Sequence, residues 1–272
     1  MVDKPILRVG LAGLGAVGLP VARKLEAGIS GLSLVAVSVR DASKASRALP
    51  RIGQGIALVT PAELADQCDV VVEGLPPAQF RSVAEPAVRS GRIFMPLSVG
   101  QLLEHDDLVA LARQTGARII VPTGALLGLD AVRAAAEGTI HSVRMITRKP
   151  PQGLEGAPYL VANNISLKGL NTAKRVFEGS AREGARGFPA NVNVAAALSL
   201  AGIGPDRTRL EIWADPTVDR NMHRIEVEAD SARFILEIAN VPSTENPRTG
   251  KITALSTIAC LRGLVSELRV GT

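Results

Sequence analysis

Ile6-Leu7-Arg8-Val9-Gly10-Leu11-Ala12-Gly13-Leu14-Gly15-Ala16-Val17-Gly18-Leu19-Pro20-Val21-Ala22-Arg23-Lys24-Leu25 decides the fold of the first half of the chain. Ile6 to Ala12 is a compact apolar run that stops at glycine, the pattern of a strand buried on both faces of a parallel sheet. Gly13 to Gly18 then spells Gly-x-Gly-x-x-Gly, and Val17, Leu19, Val21, Ala22 and Leu25 continue with helical period to an end near Gly28. A second apolar run, Leu32 to Val39, closes a strand–helix–strand unit of about 30 residues. The chemistry accounts for the glycines. The first permits the tight turn, the second lets backbone approach a pyrophosphate, and the third lets the helix pack against the strand, while the helix N-terminus offers N–H donors and partial positive charge. The reading is a Rossmann unit whose cofactor contacts include Gly13, Gly15, Ala16, Val17 and Gly18.

Where the second strand ends, an acidic residue commonly holds the ribose hydroxyls of NAD, and a nearby arginine can hold the 2′-phosphate of NADP. Ser38-Val39-Arg40-Asp41 offers both, so NAD and NADP stay open; Asp41 is equally suited to cap a helix starting at Ala42. Further apolar runs at Ile56 to Val59, Val70 to Val72, Ile93 to Met95 and Arg118 to Val121 alternate with helical periods at Ala78 to Val88 and Leu102 to Ala112. This alternation makes the fold class α/β, with an N-terminal doubly wound parallel sheet over residues 1–125. Ligands lie at the C-terminal ends of such strands, which here are followed by Glu73-Gly74-Leu75-Pro76-Pro77 and Leu97-Ser98-Val99-Gly100, both read as loops.

After Pro122 the texture changes. A small-residue loop, Thr123 to Asp130, leads into a helix over Ala131 to Glu137 and a strand-like run over Thr139 to Thr147, which places a domain boundary near Leu126. A second, α+β domain over residues 126–249 holds a helix at Phe188 to Ala201. Its strands at Arg209 to Trp213, Met222 to Glu228 and Arg233 to Ile238 read as an antiparallel sheet with one buried face, suited to a substrate and dimer platform. Residues 250–268 form a C-terminal helix that packs back on the first domain.

Composition excludes several classes. Of 272 residues, 46% are hydrophobic and 21% charged, an ordinary globular balance with a sizeable core. The net charge of +5 comes from scattered lysines and arginines with only 3% aromatic residues, which fits anionic small molecules better than nucleic acid. No apolar stretch is long enough for a membrane span and no signal-peptide pattern opens the chain, so the expected location is cytoplasmic, with no membrane partner. Cys68 and Cys260 fit no metal or redox spacing and read as reduced core thiols; His105, His141 and His223 stand at no ligand spacing, so no metal site is expected.

Six segments occur in an order and spacing far more specific than the glycine turn. They are Gly13 to Gly18, Pro122-Thr123-Gly124-Ala125-Leu126-Leu127-Gly128-Leu129-Asp130, Phe177-Glu178-Gly179-Ser180-Ala181, Phe188-Pro189-Ala190-Asn191-Val192-Asn193-Val194-Ala195, Asn221-Met222-His223-Arg224-Ile225 and Asn246-Pro247-Arg248-Thr249-Gly250. With them the chain resembles the L-aspartate dehydrogenase family through nearly its whole length. The resemblance implies reversible oxidative deamination of L-aspartate to iminosuccinate, with hydride passed to NAD or NADP, followed by hydrolysis to oxaloacetate and ammonia. It implies that His223 is the catalytic acid/base and that Ala125 and Asn191, with Asn193 second, contact the cofactor. Glu73-Gly74-Leu75-Pro76-Pro77 and Gly250-Lys251 depart from the usual pattern and bear on substrate preference. A homoserine dehydrogenase-like or dihydrodipicolinate reductase-like enzyme, or an NAD-sensing protein without turnover, are the competing readings.

The residues themselves carry part of this. A dehydrogenase acting on an amine needs a group that takes a proton as hydride leaves, and imidazole suits the task. His105 sits in the acidic stretch Glu104 to Asp107 and reads as a solvated surface residue, and His141 reads as structural. His223 lies in strand alternation, where a packing role competes with catalysis, just as N-capping competes at Asn191 and Asn193. A dicarboxylate substrate also needs cations or N–H groups; Arg224, Arg248 and Lys251 are near the matched segments, and Thr249 with the loop around it is a candidate carboxylate holder. A homodimer is the expected assembly.

Overall fold

Val9, Leu11, Val70, Val71, Val72, Phe94 and Met95 are almost wholly inaccessible, as expected of strands covered on both faces. They lie in β1 (Leu7–Ala12), β4 (Val70–Glu73) and β5 (Ile93–Pro96), the centre of a six-stranded sheet completed by β2 (Leu32–Ser38), β3 (Ala57–Leu58) and β6 (Arg118–Ile119). The strand order is β3-β2-β1-β4-β5-β6 and every pairing is parallel, the doubly wound arrangement whose ligands sit at the carboxyl ends of the strands. The crossovers are α1 (Gly18–Glu26), α2 (Ala42–Ala48), α3 (Leu64–Gln67), α4 (Phe80–Arg89), α5 (Val99–Leu102) and α6 (Asp106–Thr115). The computed structural model describes residues 5–189, 192–246 and 249–271. The chain divides into two units, residues 1–122 with 254–269 and residues 123–253 with 270–272.

The first unit holds most of the final helix. Leu261 is fully buried in its core with Ile29, Leu32 and Leu34, while Ile258, Leu264 and Val265 pack partly buried against the same cluster. Cys68 is a packed core thiol, pushed up to about 12 by burial, and it fills the space beside Gly10. Two expectations need correction here. The helical period over Leu102 to Ala112 is two helices, α5 and α6: Leu102 and Leu103 are buried, and His105 restarts the chain so that Asp106 and Asp107 occupy the first turn of α6, where acidic side chains favour the helix dipole. His105 is therefore not a free surface residue; its ring stacks on Phe80, with centroids 5.7 Å apart and planes 4° from parallel.

The second unit contains α7 (Leu129–Ala136), β7 (Ile140–Lys149), α8 (Pro158–Ala162), β8 (Lys174–Ser180), α9 (Ala181–Gly187), α10 (Asn193–Ala201), β9 (Arg209–Ala214), β10 (Met222–Ala229), β11 (Arg233–Ala239) and the start of α11 (Ile252–Gly263). Its sheet runs β11-β10-β7-β9-β8. It is mixed rather than antiparallel, because β7 and β9 pair in parallel, and a parallel neighbour needs the long crossover that α8, β8, α9 and α10 supply. Val143, Met145, Leu210, Ile212, Ile225 and Val227 line the buried face. Gly184 of α9 abuts Leu210 there, and Gly202, which follows α10, abuts Val143. The opposite face carries charge pairs, Arg144 with Glu211 and Glu226, and Arg224 with Glu226 and Glu237. The helix expected over Phe188 to Ala201 begins only at Asn193, because α9 has ended and Phe188-Pro189 interrupts. Among the described residues no helix is long and apolar enough to cross a membrane.

Candidate active site

The glycine turn has the geometry its sequence requires. Gly13 adopts φ +96° and donates its N–H to Ser38 O at 2.8 Å, a conformation L side chains avoid. A Cβ on Gly13 would lie 2.7 Å from Gly74 O, and one on Gly18 only 2.0 Å from Gly13 O, whereas one on Gly15 would meet nothing within 4 Å. Among the described residues the amides of Gly15, Ala16 and Val17, at the mouth of α1, donate to no backbone carbonyl or side chain. Open space over Gly15 beside undonated amides at a helix N-terminus fits a pyrophosphate. At the end of β2, Arg40 and Asp41 are both exposed. One Asp41 oxygen caps α2 by accepting from Lys44 N at 2.9 Å.

The two segments expected as ligand-bearing loops need correction at their ends, since Glu73 is the last residue of β4 and Val99 and Gly100 begin α5. Glu73 is fully buried and accepts from Leu75 N at 2.8 Å, Ser98 N at 3.1 Å and Ser98 Oγ at 3.1 Å, tying together the segments that follow β4 and β5. Burial pushes its carboxyl up to about 7, against the opposing pull of those donors. Folded Glu73 thus binds a proton more readily than unfolded Glu73, so its contribution is fully present below the unfolded value and is lost as pH rises through about 7. In Glu73→Gln, whose amide brings an N–H donor to where the carboxylate accepts, we expect a loss of about 1–3 kcal/mol. The melting temperature of this variant should also lack the wild-type decline between about pH 4.5 and 7, read by calorimetric melts across that range.

In the second unit, His223 is the second residue of β10 and stands opposite Thr147 of β7. Its Nδ1 is 3.1 Å from Thr147 Oγ1, a hydrogen bond whose donor depends on the tautomer. The ring is 4% exposed; burial pushes the imidazole down to about 3, and the Lys149 ammonium adds to the push. It is therefore neutral at physiological pH. Ala125, in the loop before α7, has its carbonyl held by Asn240 Nδ2 at 3.0 Å. Asn240 is 3% exposed, its Oδ1 accepts from no group among the described residues, and Gly250 leaves no room for a Cβ beside it. Asn191 and Arg248 lie outside the described residues, and Asn193 is the first residue of α10. The loop around Thr249 is partly spent on itself, since Thr249 N donates to Asn246 O and Lys251 N to Val241 O. His141 is exposed on β7. No metal-binding group of His, Cys, Asp and Glu occurs among the described residues.

The second half of the chain separates this protein from other nicotinamide-type dehydrogenases. Residues 13–122 match a family model described as the NAD binding domain of homoserine dehydrogenase, a module of the first unit alone. Residues 130–264 match the model described as aspartate dehydrogenase, C-terminal, which spans the His223 strand. An L-aspartate dehydrogenase of Bradyrhizobium diazoefficiens is 57% identical over 98% of this chain and 94% of its own, and L-aspartate dehydrogenase 3 of Bordetella bronchiseptica is 49% identical over the whole of both. The crystal structure of aspartate dehydrogenase from Thermotoga maritima superposes with a TM-score of 0.75 at 22% identity, covering 97% of this chain and 99% of that one, a likeness of fold. The chain is an enzyme of the L-aspartate dehydrogenase family.

Proposed function

We propose that the protein oxidatively deaminates L-aspartate to iminosuccinate with NAD or NADP, and that water then releases oxaloacetate and ammonia. The observation that carries this reading is the buried, neutral His223 hydrogen-bonded to Thr147 on the aspartate dehydrogenase half of the chain. The cofactor, when bound, accepts the hydride from the substrate Cα. The free amides of Gly15, Ala16 and Val17 would hold its pyrophosphate, with Gly13 and Gly18 shaping the turn that presents them. Arg40 and the oxygen of Asp41 not used in capping would hold its ribose, and Ala125 and Asn191 are further contacts that the family resemblance supports.

His223 moves the protons. For Nε2 to act as base, Nδ1 carries the hydrogen and donates it to Thr147 Oγ1, which fixes tautomer and ring orientation. The imidazole then takes a proton from the substrate ammonium as the C=N bond forms, and afterwards assists water in adding to the imine carbon. We assign a homodimer as the assembly and the cytoplasm as the compartment. Exposed Ile235 on β11, beside the charged sheet face, supports the former.

Product analysis tests the reaction. L-Aspartate labelled with deuterium at Cα, incubated with NAD and the enzyme, should yield oxaloacetate, ammonia and reduced cofactor in equal amounts, with the deuterium on the nicotinamide ring. Label retained in the organic acid contradicts the reading.

A further inference from the structure

The strand order of the first unit divides its cofactor site into two halves. From β1 the sheet extends to β2 and β3 on one side and to β4, β5 and β6 on the other, and a dinucleotide lies across the crevice where the order reverses. The glycine turn after β1 suits the pyrophosphate and the end of β2 the adenosine ribose, which leaves the carboxyl ends of β4 and β5 for the nicotinamide half. The segments there, Gly74-Leu75-Pro76 and Leu97-Ser98, are exposed or half-buried and share one anchor. Beneath them the Glu73 carboxylate, wholly inaccessible, gathers Leu75 N, Ser98 N and Ser98 Oγ. Ser98 Oγ also lies 3.2 Å from Leu75 O, so the two segments meet through the serine as well. The glycine turn fits closely against them, because a Cβ on Gly13 would lie 2.7 Å from Gly74 O and 3.2 Å from Leu75 Cδ2.

A buried carboxyl is a costly way to end a strand that Val70, Val71 and Val72 build from apolar side chains. What it adds is a fixed relation between two segments far apart in sequence, the support from behind that a preorganised binding surface needs. We propose that Glu73 is a positioning residue for the nicotinamide half of the cofactor, its carboxylate fixing the segments after β4 and β5 that receive the ring. The assignment rests on the cofactor reading of the glycine turn. Glu73 itself touches no part of the cofactor; it acts through Leu75 and Ser98.

The test compares NADH with ADP-ribose, which keeps the adenosine, the pyrophosphate and the second ribose and lacks the nicotinamide ring. Both are titrated calorimetrically into the whole chain carrying Glu73→Gln or Ser98→Ala. In Glu73→Gln the affinity for NADH should fall by about 10- to 100-fold, while ADP-ribose binding stays within about twofold. Ser98→Ala removes the hydroxyl and keeps the Ser98 N–H bond to Glu73, so it should weaken NADH alone, by about 3- to 10-fold. This milder variant carries the test if the glutamine variant does not fold. A loosened fold would weaken both ligands together, so equal losses overturn the assignment, as do NADH affinities unchanged in the two variants. A wild-type protein that binds neither ligand overturns the cofactor reading and the assignment with it. No turnover enters the measurement, so an enzyme inert toward aspartate overturns the reaction proposed above and leaves this result standing.

Discussion

Replacing His223 with alanine is expected to lower kcat for aspartate by roughly 10²- to 10⁴-fold, the range spanned by a positioned acid/base, while NADH still binds. The ring is buried, aligned by Thr147 and kept neutral by its surroundings, so at neutral pH the base form is present without titration. Stopped-flow measurement of the reduction step in His223→Ala, beside fluorescence titration with NADH, separates loss of chemistry from loss of fold. A kcat within threefold of wild type would mean that His223 is only a packed residue. Acid stability reports on the same ring. Unfolded histidine gains a proton below about 6.5 and the folded one only near 3, so His223 removes stability as pH falls through that window, by at most about 1.4 kcal/mol per pH unit. Glu73 acts in the opposite direction above about pH 4.5, so the slope is read as the difference between wild type and His223→Ala.

The glycine turn supplies the second large effect as a contrast between two substitutions of equal size. A methyl group on Gly15 meets nothing in the folded chain, so Gly15→Ala should melt near the wild-type temperature. It does intrude where pyrophosphate approaches the amides of residues 15–17. Losing one or two charge-assisted hydrogen bonds corresponds to an NADH affinity about 10- to 1,000-fold weaker. A methyl on Gly18 strikes the Gly13 carbonyl at 2.0 Å. Gly18→Ala must therefore displace backbone, and should lose both stability and cofactor binding. Thermal melts and NADH titrations distinguish the two; equal loss of stability in both would show that Gly15 serves the fold and not the ligand.

The parallel sheet was legible because its strands are buried on both faces and so read as unbroken apolar runs between glycines. Less local features were not. β8 escapes a period-two reading because a bulge between Arg175 and Phe177 buries both Val176 and Phe177 on an edge strand. The Ser180-x-x-Glu183 capping box was a usable sign of α9, since Ser180 Oγ accepts from Glu183 N while the Glu183 carboxylate accepts from Ser180 N. The parallel pairing of β7 with β9 depends on long-range topology that alternation does not encode. At the site, the resemblance drew attention to His223 and Ala125, yet the groups that hold them, Thr147 and Asn240, gain meaning only from strand pairing and loop closure. Lys149 did leave a sign, a lysine in phase with the apolar residues Val143 and Met145. Glu73 left another, an acid closing the run Val70-Val71-Val72.

Initial rates of reduced-cofactor formation at alkaline pH, with L-aspartate, L-homoserine and L-alanine and with NAD and NADP in turn, test the central claim most directly. The account predicts turnover with L-aspartate, far above the other two amino acids, with at least one of the cofactors. A protein that binds NADH yet reduces neither cofactor with aspartate, or that prefers homoserine, would contradict it.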